Sequence, residues 1–225
     1  MKGKVSLILL TSNEIEGCKK IVPMIPKGGI DEFICVDLNS TDGTVEYLKN
    51  MGYKVYAQKV KGRGTAFRIG MEKAKGDVLV YFSPDGNENP KDIPKLIQKI
   101  NYGYDMAIAS RFHPDSISED ATLVRRFGNL MFTGLINLLW GTNVTDAVNG
   151  FRAIRKEVMK DLKTRAKYFE IEIEMTIKCS KKRYKITEIP TVEARRIAGK
   201  GKLKTFRDGW LYTKFIFEEL VGNKN

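Results

Sequence analysis

The chain has 225 residues, 42% hydrophobic and 10% aromatic, with 39 Lys and Arg against 27 Asp and Glu for a net charge of +12. That length and apolar content exclude a disordered tail or a disulfide-stapled miniprotein and fit one domain with an appendage. The excess charge narrows the partners to nucleic acid, anionic lipid or phosphorylated ligands. Met1-Lys2-Gly3-Lys4 leads into a short apolar run ending at Leu10. The run lacks a signal-peptide cleavage site and is too short to span a bilayer, so it reads as a first strand.

Strands are predicted over residues 5–11, 32–37, 54–58, 77–83 and 105–110. Helices alternate with them: one capped by Thr41 or Asp42 and ending near Gly52, one over 65–75, and one entered at Pro90 and running to about Ile100. Alternation of this kind predicts an α/β fold, a parallel sheet flanked by helices. The second half is less regular. Residues 123–140 read as a helix in which Asn129, Thr133, Asn137 and Gly141 make a narrow polar stripe on an otherwise apolar surface. Such a helix is expected to be buried on most sides or partly in lipid. Residues 170–183 are ambiguous, because Glu-Ile-Glu-Ile-Glu alternates like a strand while the continuation favours a helix. Residues 185–190 read as a strand, and 206–221 as an aromatic amphipathic helix with Trp210, Leu211, Phe217 and Leu220 toward one side. Cys18, Cys35 and Cys179 are odd in number and lie in or beside apolar segments, which predicts buried free thiols in a reducing cytosol.

In a sheet of this type ligands bind beyond the carboxyl ends of the strands, and polar residues gather at those ends here. Asp37 precedes a turn with Ser40, Asp42 and Gly43, where a carboxylate can accept hydrogen bonds from a nucleobase or ribose, or can simply start a turn while Asp42 caps the next helix. Lys61-Gly62-Arg63-Gly64 is basic and glycine-rich just before a helix, as a diphosphate cradle or a plain loop would be. Ser83-Pro84-Asp85-Gly86-Asn87 puts Asp85 and Asn87 at the end of an apolar strand, hard oxygen donors suited to Mg²⁺ or Mn²⁺.

These segments, with Thr11-Ser12-Asn13-Glu14, Ala109-Ser110-Arg111 and Gly150-Phe151-Arg152, stand in the order seen in family 2 glycosyltransferases. The subgroup the chain most resembles is the polyprenyl-phosphate (dolichol-phosphate) mannosyl- or glucosyltransferases. The resemblance implies a Rossmann-like GT-A fold in one domain, with residues 1–111 binding a UDP- or GDP-linked hexose and 112–225 forming an acceptor side. It further implies a divalent cation, Mg²⁺ or Mn²⁺, and transfer with inversion. Carried over by position, Ser12, Asn13, Glu14, Asp37, Asn39, Ser40, Asp42, Lys61, Gly64, Pro84 and Asp85 would bind the nucleotide sugar. Asp85 and Asn87 would hold the metal, and Arg111, Arg125, Arg126 and Arg152 the acceptor phosphate. Asp85, Arg196 and Lys202 would stabilise the leaving diphosphate, and Glu174 matches an acidic helix position. Ser83 stands where the Asp-X-Asp motif has its first acid, Ser12 replaces an aromatic, and Gly201 replaces a serine. The membrane-spanning tail of many relatives has no counterpart among these residues.

The acceptor decides whether a base is needed. A lipid phosphate is already an anionic nucleophile, whereas a hydroxyl must lose a proton, for which Asp146 is the base this sequence offers. Asp146 reads equally as a loop acid paired with Arg152. His113 reads as a surface residue. Residues 181–207 carry ten cations against Glu188 and Glu193, a local +8 around Arg196 and Lys202. That concentration favours a phosphorylated ligand first, then peripheral docking on the anionic, cytoplasmic face of a membrane with residues 127–140 and the last helix at the interface. It leaves room for a membrane-protein partner or a second copy of the chain. A nucleic-acid-binding module is the competing class, but no stacking platform or helix-turn-helix, zinc or RNA-recognition signature accompanies the charge.

Overall fold

The computed structural model describes residues 3–198, 201 and 204–222. Seven strands form one sheet: β1 (Val5–Thr11), β2 (Glu32–Asp37), β3 (Lys54–Ala57), β4 (Val78–Phe82), β5 (Met106–Ser110), β7 (Arg152–Arg155) and β8 (Ile186–Pro190). Their order is β3-β2-β1-β4-β7-β5-β8, and a two-stranded ribbon pairs β6 (Ile117–Ser118) with β9 (Val192–Glu193). All pairings in the large sheet are parallel except those of β7, which runs antiparallel between β4 and β5. Because β7 and β8 pair with strands of the first half, the two halves of the chain share one sheet.

The central strands read as continuous apolar runs because both faces of the sheet are covered. On one face Leu7, Leu9, Val80 and Ala107 pack under α1 (Ile15–Ile21), α2 (Thr44–Asn50) and α4 (Ile93–Asn101), through Cys18, Leu48, Leu96 and Ile100. On the other, Ile8, Leu79, Tyr81 and Ile108 pack under α3 (Arg63–Lys73), α6 (Lys156–Asp161) and α7 (Glu170–Lys181), through Phe67, Met159 and Ile173. A second layer of α5 (Leu123–Trp140) and α8 (Thr205–Val221) covers α7 with Phe132, Ile136, Tyr212, Phe215 and Ile216. All three cysteines are buried and free, and burial pushes the Cys35 and Cys179 thiols up to about 12, so both are inert at neutral pH.

The ambiguous segment is the helix α7, buried at Glu170, Glu172 and Glu174 as well as at its isoleucines. Each glutamate has a reason to be inside. Glu174 accepts the Arg165 and Ala166 N–H groups and pairs with Lys178 at 2.7 Å; Glu170 accepts those of Lys167 and Tyr168. Glu174 thus braces the loop before α7 and takes no part in a ligand site.

The helix α5 is inverted relative to an ordinary surface helix. Its polar stripe turns inward: Asn129 donates to Asp146 at 2.8 Å, Thr133 accepts the Ala147 N–H, and Asn137 donates to the Val144 carbonyl. Leu123, Val124, Phe127, Leu130, Met131 and Leu138 are left exposed. The buried face of α8 is Asp208, Tyr212, Phe215, Ile216 and Glu219, so Trp210, Phe217 and Leu220 point outward rather than into the core. Among the described residues no helix is long and apolar enough to cross a membrane.

Candidate active site

The loops after β1 and β2 are sewn together. Asp37, 2% exposed, accepts the hydroxyls of Thr11 and Ser40 at 2.6 Å and the Ser40 N–H at 2.7 Å. Asn13, at φ +52°, donates its N–H to Ser40 Oγ and accepts the Thr41 N–H. Asp42 accepts the Ile15 N–H at the start of α1 and both donors of Thr44, and although its burial opposes ionisation, these bonds hold its pKa below the usual carboxylate range. Asp37 and Asp42 each accept three internal hydrogen bonds and so brace the two loops against each other.

The loop after β4 carries the acidic centre. Asp85 accepts the Asn87 N–H at 3.1 Å and pairs with Arg196 Nη1 at 2.6 Å, while Arg196 Nη2 bonds Glu14 and its Nε donates to the Ala198 carbonyl. Residues 194–197 lie directly on this loop: Ala194 and Asn87 exchange hydrogen bonds, and the Ile197 N–H donates to the Asp85 carbonyl at 3.0 Å. Gly86, at φ +98°, makes the approach feasible, since a Cβ there would stand 2.6 Å from Ile197 Cγ1. Glu88, which the sequence reading passed over, accepts the Ser83 N–H at 2.6 Å. Burial, and then the charge of Asp85, raise its pKa to about 8. Among the described residues no three His, Cys, Asp or Glu side chains cluster as a ready metal cage. Two half-buried carboxylates that repel each other nevertheless fit Mg²⁺ or Mn²⁺, which need only one or two protein carboxylates. Asn87 sits beside them with its amide nitrogen bound to the Ala194 carbonyl.

A cavity of about 760 Å³ opens over these loops. Of the residues expected at the site, Ser12, Glu14, Lys61, Asp85, Asn87, Arg111, Arg125 and Arg196 line it. Asn13, Asp37, Asn39, Ser40, Asp42, Gly64, Pro84, Arg126, Asp146 and Arg152 do not, and Lys202 lies outside the described residues. Gly62 and Gly64 serve packing: a Cβ at either would stand 2.2 or 2.1 Å from the Lys167 or Ala166 carbonyl oxygen. Arg126 is exposed beside the Phe112 ring.

Two assignments are corrected by burial. Arg152 is fully buried, because β7 carries it into the sheet, and its guanidinium donates to the Asn149, Ala147 and Glu172 carbonyls; no acceptor phosphate can reach it. Asp146 is also fully buried, and its partner is Arg111 rather than Arg152. Arg111 binds both its oxygens, at 2.7 and 3.1 Å, and Asn129 adds a third contact. Burial opposes ionisation of Asp146, but Arg111 outweighs it and holds the pKa below the usual carboxylate range. A saturated, acidic, inaccessible carboxylate is no general base.

The structure adds cavity residues to the expected set and gives Arg63, read in the sequence as part of the basic glycine-rich loop, a partner. Arg63 reaches from the start of α3 to pair with Glu172, and Lys204, Arg207 and Tyr212 enter from α8 and its approach. Spacing could not reveal them, since Arg63 and Glu172 are 109 residues apart and meet only through the packing of α3 on α7.

The fold is that of GT-A glycosyltransferases. The crystal structure of glucosyl-3-phosphoglycerate synthase from Mycobacterium tuberculosis with Mn²⁺, UDP and glucosyl-3-phosphoglycerate matches with a TM-score of 0.77 at 20% identity, covering 99% of this chain and 81% of that one. The sequence profile of Glycosyl transferase family 2 matches residues 15–163, and the chain belongs to that family. It is a glycosyltransferase. It is 34% identical to the dolichol-phosphate mannosyltransferase of Pyrococcus furiosus over 212 residues, 89% of this chain but 59% of that protein. It is 29% identical to the dolichyl-phosphate hexose transferase of Haloferax volcanii, covering 94% of this chain and 92% of that one, and to glycosyltransferase AglJ of the same organism over 96% and 70%.

Proposed function

We propose that the chain transfers a hexose, with inversion, from a UDP- or GDP-linked donor to a polyprenyl phosphate at a membrane surface. The observation that carries this reading is the cavity itself. Its wall combines the acids Asp85, Glu88 and Glu14 with the cations Arg111, Arg125, Lys204 and Arg207, and it is lined in part by α5, a helix whose exposed side is apolar. Ser12, Glu14 and Lys61 face the donor side. Asp85, with Asn87 and Glu88 beside it, would hold Mg²⁺ or Mn²⁺, which supplies positive charge to a leaving nucleoside diphosphate. Arg196 is placed to follow that charge, because it already bridges Asp85 and Glu14. Arg111 and Arg125 orient an anionic acceptor, which attacks without losing a proton; the locking of Asp146 favours such an acceptor over a hydroxyl. The dolichol-phosphate enzymes among the relatives support the same choice.

The outer face of α5 and the aromatic side of α8 give the chain a peripheral seat on lipid, with the 181–207 cations toward anionic headgroups. The test is transfer of labelled hexose from UDP- or GDP-sugars to polyprenyl phosphate in vesicles with Mn²⁺, read as label in the organic phase. Asp85→Ala is expected to lose roughly 100-fold or more, as removal of a transition-state charge partner does. Unchanged transfer by Asp85→Ala, or transfer only to hydroxyl acceptors, would overturn the assignment.

A further inference from the structure

Two residues that line the cavity each hold a buried oxygen without a hydrogen bond, Glu172 at Oε2 on α7 and Tyr212 at Oη on α8. Both residues are buried, at 1% and 4% exposure. The third such atom among the described residues, Glu170 Oε2, does not belong to the cavity wall. A buried polar atom without a partner costs about 1–3 kcal/mol, so native proteins rarely keep two in one wall unless something arrives to satisfy them. Burial, and then the charges of Glu172 and Asp208, raise the pKa of the Tyr212 phenol well above the ordinary value, so it stays a hydrogen-bond donor.

Glu172 is anchored through one oxygen. Arg63 holds its Oε1, lies over the rings of Phe67 and Phe169 at 5.5 and 5.6 Å, and reaches Ser83 Oγ at 3.4 Å. Gly150 makes room for this pair, since a Cβ there would stand 2.0 Å from Arg63 Nη2 and 2.9 Å from Glu172 Oε1. Ser83 is two residues before Asp85, so Arg63 links Glu172 to the loop assigned to the donor diphosphate. The occupant's chemistry follows from the donors and acceptors. A carboxylate oxygen repels a phosphate but accepts from a hydroxyl, and a phenol donates to a hydroxyl oxygen. A neutral group bearing neighbouring hydroxyls satisfies both at once.

We propose that Glu172 and Tyr212 form the pocket for hydroxyl groups of the transferred sugar, with Arg63 as the residue that positions Glu172. This rests on the donor reading above. The informative variant is Tyr212→Phe, which removes one unpaired atom and keeps the edge-on packing of the ring against Phe132 at 5.3 Å. Its melting temperature should match or exceed that of the unaltered chain. Calorimetric titration with Mn²⁺ present should give an unchanged Kd for UDP and GDP, and a Kd for UDP-glucose or GDP-mannose weakened about tenfold, the loss of one hydrogen bond to a charged or strongly placed group. Glu172→Gln should weaken the sugar-bearing ligands in the same selective way. Equal weakening of nucleotide and nucleotide sugar, or no weakening of either in Tyr212→Phe, overturns the pocket while leaving the donor site standing. Failure of the unaltered chain to bind any nucleotide or nucleotide sugar overturns the donor reading, and this inference with it.

Discussion

Asp146→Asn separates a structural acid from a catalytic one. In the native chain the two oxygens of Asp146 accept five hydrogen bonds: three from Arg111, one from Asn129 and one from the Val148 N–H. An asparagine keeps one acceptor and turns an NH₂ group toward donors that remain in place. Breaking a buried ion pair by neutralising one partner costs about 3–5 kcal/mol. Arg111 keeps 21% of its side chain exposed and can recover some hydration, so the lower end, about 3 kcal/mol, is expected. For a chain of this size that corresponds to a fall in Tm of about 6–12 °C. The sign with pH follows from the depressed native pKa. The stabilisation is complete above the unfolded pKa of about 3.9 and fades as pH falls through the lower native value. Urea unfolding followed by circular dichroism should therefore show a gap between the two proteins that is constant from about pH 8 to pH 5 and closes below about pH 4. A variant within about 0.5 kcal/mol of the native chain throughout would refute the reasoning and return Asp146 to the list of free carboxylates.

Three further outcomes are expected. Arg152→Lys should destabilise by about 2–3 kcal/mol in denaturant titrations, because one ammonium cannot reproduce a fork that serves three carbonyls, while nucleotide affinity measured on the folded fraction stays unchanged. Gly62→Ala and Gly64→Ala should each cost at least about 2 kcal/mol through contact with the 166–167 backbone, whereas Gly134→Ala, in open space within α5, should gain about 0.5–1 kcal/mol. Phe127→Gln with Leu138→Gln, at residues 71% and 80% exposed, should leave stability within about 0.5 kcal/mol and weaken co-sedimentation with anionic vesicles; undiminished sedimentation would remove α5 from the membrane-facing surface.

Much of the first half was legible in the sequence. The strands of residues 5–110 were found within two residues of their ends, since apolar runs separated by helix punctuation are a local signal. The acid loop at Asp85 and the cation at Arg196 were legible because their motif is local too, and the structure joins them at 2.6 Å. Strand β7 was missed: Arg-Ala-Ile-Arg has no alternation that marks an inner strand, and its arginine is tolerated inside only because carbonyls from Ala147, Asn149 and Glu172 converge on it. The α7 alternation left strand and helix open, because its buried glutamates are held by partners supplied from elsewhere: Glu174 by the 165–166 N–H groups and Lys178, Glu172 by Arg63 through one oxygen. The α5 stripe was seen, but its direction was not, because periodicity locates two faces and says nothing about which one meets the core.

The sequence by itself determined a mostly parallel α/β sheet, a polar rim at its strand ends and a concentration of positive charge near Arg196, and it pointed to Asp85 as the acid of that rim, all of which rest on neighbours along the chain. Only the tertiary structure decided which charged residues are open to a ligand. Asp146, Arg152 and Glu174 carry the residue types of a binding site and are absorbed by internal partners, while Glu88, Glu172 and Tyr212 carry no motif and line the cavity, where Arg63 of the basic loop pairs with Glu172. The cost of burying an unpaired polar group depends on what stands opposite it across the fold, and that is a property of packing, not of spacing.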